Sequence, residues 1–259
     1  MMTADLALAL LINRTTQYYQ ANPPVYMTYT EYTHVSAKGV NRTQDLNRSV
    51  AVRVADNFAV MQDLPNGEKR TGQAFPIVAN FDPFSDFSFG YFANLKRVDI
   101  MLNQGAPYRF PIPQPDPSVT VVVPYNSLWV TRYAPDSTDA ALHLLIEPTP
   151  RITHGLYPVE IIEDQTSRLP SHIEMRSVEG DMDFSLDYKV IDGHWVIVHG
   201  TFSATQHVAF MAFKAIADVR FENIVFSTEP PDPLLAGTPM PSAAPSTSPL
   251  VTPLPAATP

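Results

Sequence analysis

The chain of 259 residues contains no cysteine, which excludes disulfides, thiol catalysis and cysteine-ligated metals. Glycine is scarce, at ten residues, and none fall in a G-x-G-x-x-G or G-x-x-x-x-G-K spacing that would cradle a phosphate. Basic residues are also few: 17 Lys and Arg stand against 26 Asp and Glu, for a formal charge of −9. Nucleic-acid binding needs a basic stripe to neutralise phosphates, and the scattered cations here supply none. The same acidity opposes an anionic membrane surface. No stretch approaches the roughly 20 apolar residues of a spanning helix. G-x-S-x-G, S-x-x-K and H-E-x-x-H are all missing, and serines beside turns (Ser85, Ser127, Ser171) read as caps and turn formers.

What is present belongs to a folded domain. Hydrophobic residues make up 45 % of the chain and charged residues 17 %, enough apolar material for a sizeable core. Leu6, Leu10, Ile12 and Tyr18 recur near helical spacing, so a helix is predicted from Thr3 to Gln20, closed by Asn22-Pro23-Pro24. The apolar run Met1–Ile12 lacks a basic leader and carries Asp5, so it reads as part of the mature domain.

Strand patterns follow. Val25–Val35 is aromatic and β-branched, Val50, Val52 and Val54 alternate with other residues, and Phe58–Leu64 returns after Asp56-Asn57. Further runs are predicted at Val119–Val123, Leu128–Tyr133, Ala140–Glu147, Tyr157–Glu163, Leu169–Val178, Phe184–Ile191, Trp195–Thr205 and Ala217–Phe226. Asp192-Gly193 is a two-residue hairpin signal. His207–Ile216 is read as a short helix or a distorted strand. Between the halves, Phe84, Phe87 and Tyr91 sit at helical spacing, and Pro107–Pro117 is an extended loop. From 229 onward, ten of the 26 prolines mix with Ser, Thr and Ala, which marks a disordered tail behind a domain spanning 1–228.

Titratable groups offer no obvious centre. His194 and His199 lie five apart, on opposite faces of a regular strand, so no metal is expected. Asp181, Asp183 and Asp187 share one strand parity but lack the glycine and terminal glutamate of a calcium loop. The surplus is aromatic: 14 Phe, 11 Tyr and two Trp, with nine Met beside them, suit either a packed core or a lined cavity.

The phrases PVEIIEDQTSRLPSHIEMRS, FSLDYKVIDGHWVIVHGTFS and VRFENIVFS tilt that balance. Through Asp164, Thr166, Leu169, Pro170, Tyr188, Asp192, Gly193, Trp195, Asn223 and Phe226 the chain resembles the LolA/LolB-like periplasmic lipoprotein-carrier superfamily. The resemblance implies a mainly β (α+β) fold. Its curved antiparallel sheet would form an incomplete barrel, with an N-terminal helix and short helices over the concave face. It also implies a bacterial, extracytoplasmic carrier without cofactor or catalysis. Transporting members carry an arginine at the end of an early strand that helps hold a lid. Arg53 falls one or two positions away from it and lacks the following proline, and without a cysteine a lipid-anchored receptor of the LolB kind is excluded.

The expected ligand is a hydrophobic small molecule or lipid, lined by Val50, Val52, Val54, Phe58, Phe84, Phe87, Tyr91 and Trp195. The alternative is a cell-envelope interaction module, with an envelope protein as partner, that uses the same sheet as a closed core. A monomer is expected in either case.

Overall fold

Polar Thr3 and the Pro23-Pro24 pair bracket helix α1, Ala4–Ala21, in the computed structural model, which describes residues 2–38, 42–78, 97–101, 120–124, 129–150, 156–178, 180–208 and 211–237. Asp5 in the first turn complements the helix dipole. Ala7, Leu8, Leu11 and Ile12 are buried along one stripe, and Thr15 joins them by donating its hydroxyl to the Leu11 carbonyl at 2.8 Å.

The rest is dominated by one sheet. In chain order its strands are β1 (Tyr26–Lys38), β2 (Arg42–Arg53), β3 (Phe58–Asp63), β4 (Lys69–Gln73), β7 (Trp129–Tyr133), β8 (His143–Pro148), β9 (Leu156–Glu163), β10 (Pro170–Ser177), β11 (Met182–Ile191), β12 (His194–Val208) and β13 (Met211–Ser227). They form an 11-stranded antiparallel sheet in the order β4-β3-β2-β1-β13-β12-β11-β10-β9-β8-β7. The first strand thus lies at mid-sheet against the last. Because β4 and β7 stand at opposite edges, the sheet is an open, incomplete barrel. Two further strands, β5 (Arg97–Met101) and β6 (Thr120–Pro124), make a separate parallel pair.

Strand parity divides the sheet into two faces. Met27 and Tyr29 of β1, Val50 and Val52 of β2, Leu144 and Ile146 of β8, Ile173 and Met175 of β10, and Leu186 of β11 share one core with Leu8 and Leu11 of α1. The outer face carries a ladder of histidines and carboxylates across neighbouring strands. Asp187 accepts from His172 at 2.6 Å and His199 at 2.8 Å, and His199 reaches Asp218 at 3.2 Å. The aspartates at 183 and 187 are therefore paired inside the sheet and do not form a bare edge; Asp183 takes Arg176 at 3.1 Å.

Local chemistry explains the turns. Asp192 and Gly193 both have positive φ, 50° and 79°, as a type I′ hairpin requires, and Ile191 pairs with His194 across it. Three elements differ from expectation. β2 starts eight residues before Val50, because its polar first half pairs along β1 as far as Ala37 opposite Arg42. The polar segment Lys69–Gln73 forms an edge strand, where a hydrophobic pattern is not needed. Among the described residues of 207–216 there is no helix: β12 and β13 stay in register to Val208 opposite Met211, so the ladder satisfies the backbone there.

The expected helix across Phe84–Tyr91, the loop 107–117 and the helices expected over the concave face lie outside the described residues. Of the stretch after 228, residues 229–237 are described. Pro233–Leu235 forms a 3-10 turn capped by Asp232, and Leu235 is fully buried. Residues 238–259 lie outside the described residues.

Candidate functional site

A charged pair sits on the wrong face of the sheet for a simple core. Odd-numbered positions of β1 (Met27, Tyr29, Glu31) point inward, as do even-numbered positions of β2 (Arg48, Val50, Val52), and the register sets Glu31 opposite Arg48. Arg48 Nη2 donates to Glu31 Oε1 at 2.6 Å, and Thr33 Oγ1 donates to the same oxygen at 2.9 Å. Arg48 Nη1 also reaches the Met61 sulfur at 3.6 Å. The glutamate side chain is 9 % exposed and the arginine 21 %. Pairing is what makes such burial tolerable.

Aromatic rings build the walls around this pair. The segment after β4 crosses the inner face, tied at one end by Ala74 N–H to the Asn57 carbonyl (2.9 Å). At the other end Ile197 N–H donates to the Ile77 carbonyl (2.9 Å). The crossing delivers Phe75 onto the sheet, stacked on Phe221 at 6.1 Å and edge-on to Phe202 at 5.6 Å. Tyr29 meets Phe221 edge-on at 5.5 Å, and Phe184 meets Phe202 at 5.2 Å. Such offsets are the favoured geometry of ring pairs. Between these rings and the ion pair lies a concavity of about 240 Å³.

Beside this concavity two polar atoms, the Tyr29 hydroxyl and Arg48 Nε, are fully buried and have no hydrogen-bond partner among the described residues. Burial pushes the Tyr29 hydroxyl pKa well above its ordinary value; the Glu31 charge pushes it further, and Arg48 opposes. The hydroxyl therefore keeps its proton and stays a donor.

The residues expected to line a ligand site are placed elsewhere or lie outside the described residues. Val50, Val52 and Val54 are buried in the core shared with α1. Phe58 is half-buried under the Arg53 guanidinium, 5.3 Å from its ring centre. Trp195 is buried, stacked on Tyr188 at 4.2 Å, and donates its indole N–H to the Pro170 carbonyl at 2.7 Å. None of these five lines the concavity. Phe84, Phe87 and Tyr91 lie outside the described residues. The residues that do line it include Tyr29, Glu31, Arg48, Phe75, Phe202 and Phe221. A signal for two of them was present in the sequence: a charged residue on the apolar parity of each of two neighbouring strands.

A second depression of about 540 Å³ lies between Pro23, Pro24, His194 and Phe226, and it is shallow and open to solvent. Among the described residues no group of three or more His, Asp or Glu is placed to hold a metal ion. Among them, too, no helix is long and apolar enough to cross a membrane.

No protein-family profile and no curated protein matches the chain. Solved structures do, and they include LolA-superfamily proteins. A LolA superfamily protein from Nitrosomonas europaea is similar over 89 % of this chain and 96 % of its own, at 9 % identity and a TM-score of 0.39. A putative outer membrane lipoprotein-sorting protein domain from Vibrio parahaemolyticus covers 85 % of this chain and 93 % of its own, at 8 % identity and a TM-score of 0.39. The Pseudomonas aeruginosa MucA/MucB complex contributes a chain covered over 99 % of its length, and 87 % of this one, at 12 % identity and a TM-score of 0.25.

Proposed function

We propose that the protein is a non-enzymatic carrier or binding protein of the cell envelope for an apolar ligand, a lipid or acyl chain. The observation that carries this reading is the concavity beside Phe75, walled by aromatic rings on the inner face of an open sheet. Apolar walls with a few placed polar groups are the usual make-up of a ligand pocket. At about 240 Å³ the space matches roughly eight water volumes of ~30 Å³ each, room for a short chain or one end of a longer one. The cell-envelope setting comes from the sequence resemblance to periplasmic carriers and agrees with the lack of cysteine.

Native mass spectrometry of protein purified without detergent, joined to lipid extraction, tests the reading. The expected result is a co-purifying mass that extracts as a lipid, together with uptake of a fluorescent fatty-acid probe. Phe75→Ala should weaken that uptake about tenfold, near 1.4 kcal/mol. An apo mass with no probe uptake would overturn the carrier reading and favour the interaction module.

A further inference from the structure

The outer-face ladder runs further than its central bonds. Asp45 of β2, His34 of β1, Asp218 of β13, His199 of β12, Asp187 of β11 and His172 of β10 stand one per strand across six neighbouring strands. Carboxylate and imidazole alternate along the whole row. His34 lies opposite both Asp45 and Asp218 in register, and its Nδ1 meets Asp45 at 2.6 Å. His172 meets Asp187 through Nδ1 as well, at 2.6 Å. His199 is engaged at both nitrogens, Nδ1 with Asp187 Oδ2 at 2.8 Å and Nε2 with Asp218 Oδ2 at 3.2 Å.

A neutral imidazole carries one N–H and one lone pair, so it donates to a single carboxylate. Two carboxylate contacts require a hydrogen on each nitrogen, which makes the ring an imidazolium. When one proton leaves, a ring lone pair faces a carboxylate oxygen and that bridge opens. The Nδ1 contacts of His34 and His172 survive deprotonation, because a neutral ring still has one N–H to give. The other charges beside His199 are Arg220, opposite it on β13, and Lys189, two residues beyond Asp187 on β11. Partial burial and both cations oppose a charged ring, and the two aspartates prevail, leaving its pKa raised.

The row lies behind the concavity. Thr33, Val219 and Phe202 line that space from β1, β13 and β12, and Thr33 and Val219 are chain neighbours of His34 and Asp218. Gly200, next to His199, pairs with Val219. One backbone layer thus carries the row on one side and the floor of the concavity on the other. We infer that Asp218, His199 and Asp187 form a proton-controlled clasp. The doubly protonated ring locks β13, β12 and β11 together; loss of one proton opens a bridge and loosens the strands that floor the concavity. The clasp needs no bound ligand, so it stands or falls apart from the carrier reading.

The test uses the full chain, isotope-labelled and stripped of lipid, titrated from about pH 5 to about pH 8.5 across the histidine range. Imidazole nitrogen chemical shifts report the hydrogen on each ring nitrogen directly. In mild acid both nitrogens of His199 should read as protonated, and one proton should leave with a midpoint above the ~6.5 of a free histidine. Amide hydrogen exchange, corrected for its intrinsic pH dependence, is followed over the same range. Protection around the Gly200–Val219 pair should fall about tenfold more than at Leu8 and Leu11 of α1. His199→Gln should abolish that excess fall and His172→Gln should leave it, which separates the doubly bonded ring from histidine charge in general. A midpoint at or below ~6.5 overturns the clasp. So does an equal fall in α1 and at the Gly200–Val219 pair, or an excess fall that His172→Gln removes as fully as His199→Gln. The wild-type nitrogen shifts and exchange decide the matter even if a variant folds poorly.

Discussion

Arg48 and Glu31 face each other across β1 and β2 on the apolar side of the sheet, with Nη2 and Oε1 2.6 Å apart. Removing one partner strands the other. Arg48→Met should destabilise the domain by about 3 kcal/mol, the low end for a broken buried pair because the guanidinium is partly exposed. The double variant Arg48→Met with Glu31→Leu should recover most of that loss or exceed wild type, since apolar residues of similar size replace a desolvated pair at little cost. Urea unfolding midpoints of the two variants decide this. A double variant no more stable than the single one would show that the pair itself holds β1 to β2.

Tyr29→Phe makes the opposite prediction for stability. Its hydroxyl has no partner and its ring is buried against Phe221, so losing the oxygen removes an unsatisfied group and keeps the packing. The variant should gain about 1 kcal/mol in urea unfolding. A loss of similar size would mean that the hydroxyl is satisfied, by water for instance.

Stability should also depend on pH through the outer-face ladder. Partial burial lowers the pKa of His199, but its hydrogen bonds to Asp187 and Asp218 and their charges outweigh that and leave it raised. A raised folded value means that the stabilisation is fully present below the unfolded histidine value of about 6.5 and is lost as pH rises through the folded value. Burial raises Asp187, and the bonds from His172 and His199 outweigh it and leave it lowered. That contribution is present above the unfolded aspartate value of about 3.9 and is lost as pH falls through the folded value. The two windows overlap in mild acid. The unfolding midpoint should therefore be higher near pH ~5.5 than near pH ~8, and His199→Gln should flatten the difference. Both groups are partly exposed, so the effect should shrink in high salt.

Much of this architecture is legible in the amino-acid sequence. Helix α1 begins and ends within a residue of its predicted limits, and its end is set locally by the proline pair at 23 and 24. Asp192-Gly193 announces its hairpin because only such residues accept positive φ at both positions. The candidate site was not legible in the same way. Phe75 reaches Phe221 only because the segment after β4 crosses several strands, which depends on tertiary ties at Asn57 and Ile197. His172, Asp187 and His199 are far apart in sequence and meet only through strand register. Val50 and Val52 reveal themselves as inward-facing by alternation, but alternation cannot say whether an inward face meets a helix or a cavity. The pairing of Glu31 with Arg48 needed the register of β2, whose polar first half carries no strand pattern.

Arg53 holds residues beyond 228 against the sheet. Its side chain is 6 % exposed and holds Asp56 through two bonds, Nε to Oδ1 at 2.9 Å and Nη2 to Oδ2 at 2.7 Å. The remaining nitrogen, Nη1, donates to the carbonyls of Leu235 at 3.1 Å and Gly237 at 2.5 Å. One guanidinium thus ties the end of β2 to a segment more than 180 residues later, and Leu235 is fully buried beside it. Arg53→Ala should cost about 3–5 kcal/mol, because it removes the buried cation that offsets the Asp56 carboxylate. Arg53→Lys should remain well below wild type, since a single ammonium cannot reproduce the planar fork. Lys69→Ala should change stability by less than about 0.5 kcal/mol, although Lys69 bonds Asp232 at 2.6 Å, because that lysine is exposed. Two truncations separate packing from sequence composition. Ending the chain after Thr228 removes Leu235 and both carbonyls while keeping the Arg53–Asp56 pair, and should still lower the unfolding midpoint. Ending it after Gly237 keeps every one of these contacts and should leave the midpoint unchanged. If neither truncation lowers the midpoint, the contacts of Arg53 with Leu235 and Gly237 add nothing to the fold, and the proline-rich segment functions as a tail from 229 onward.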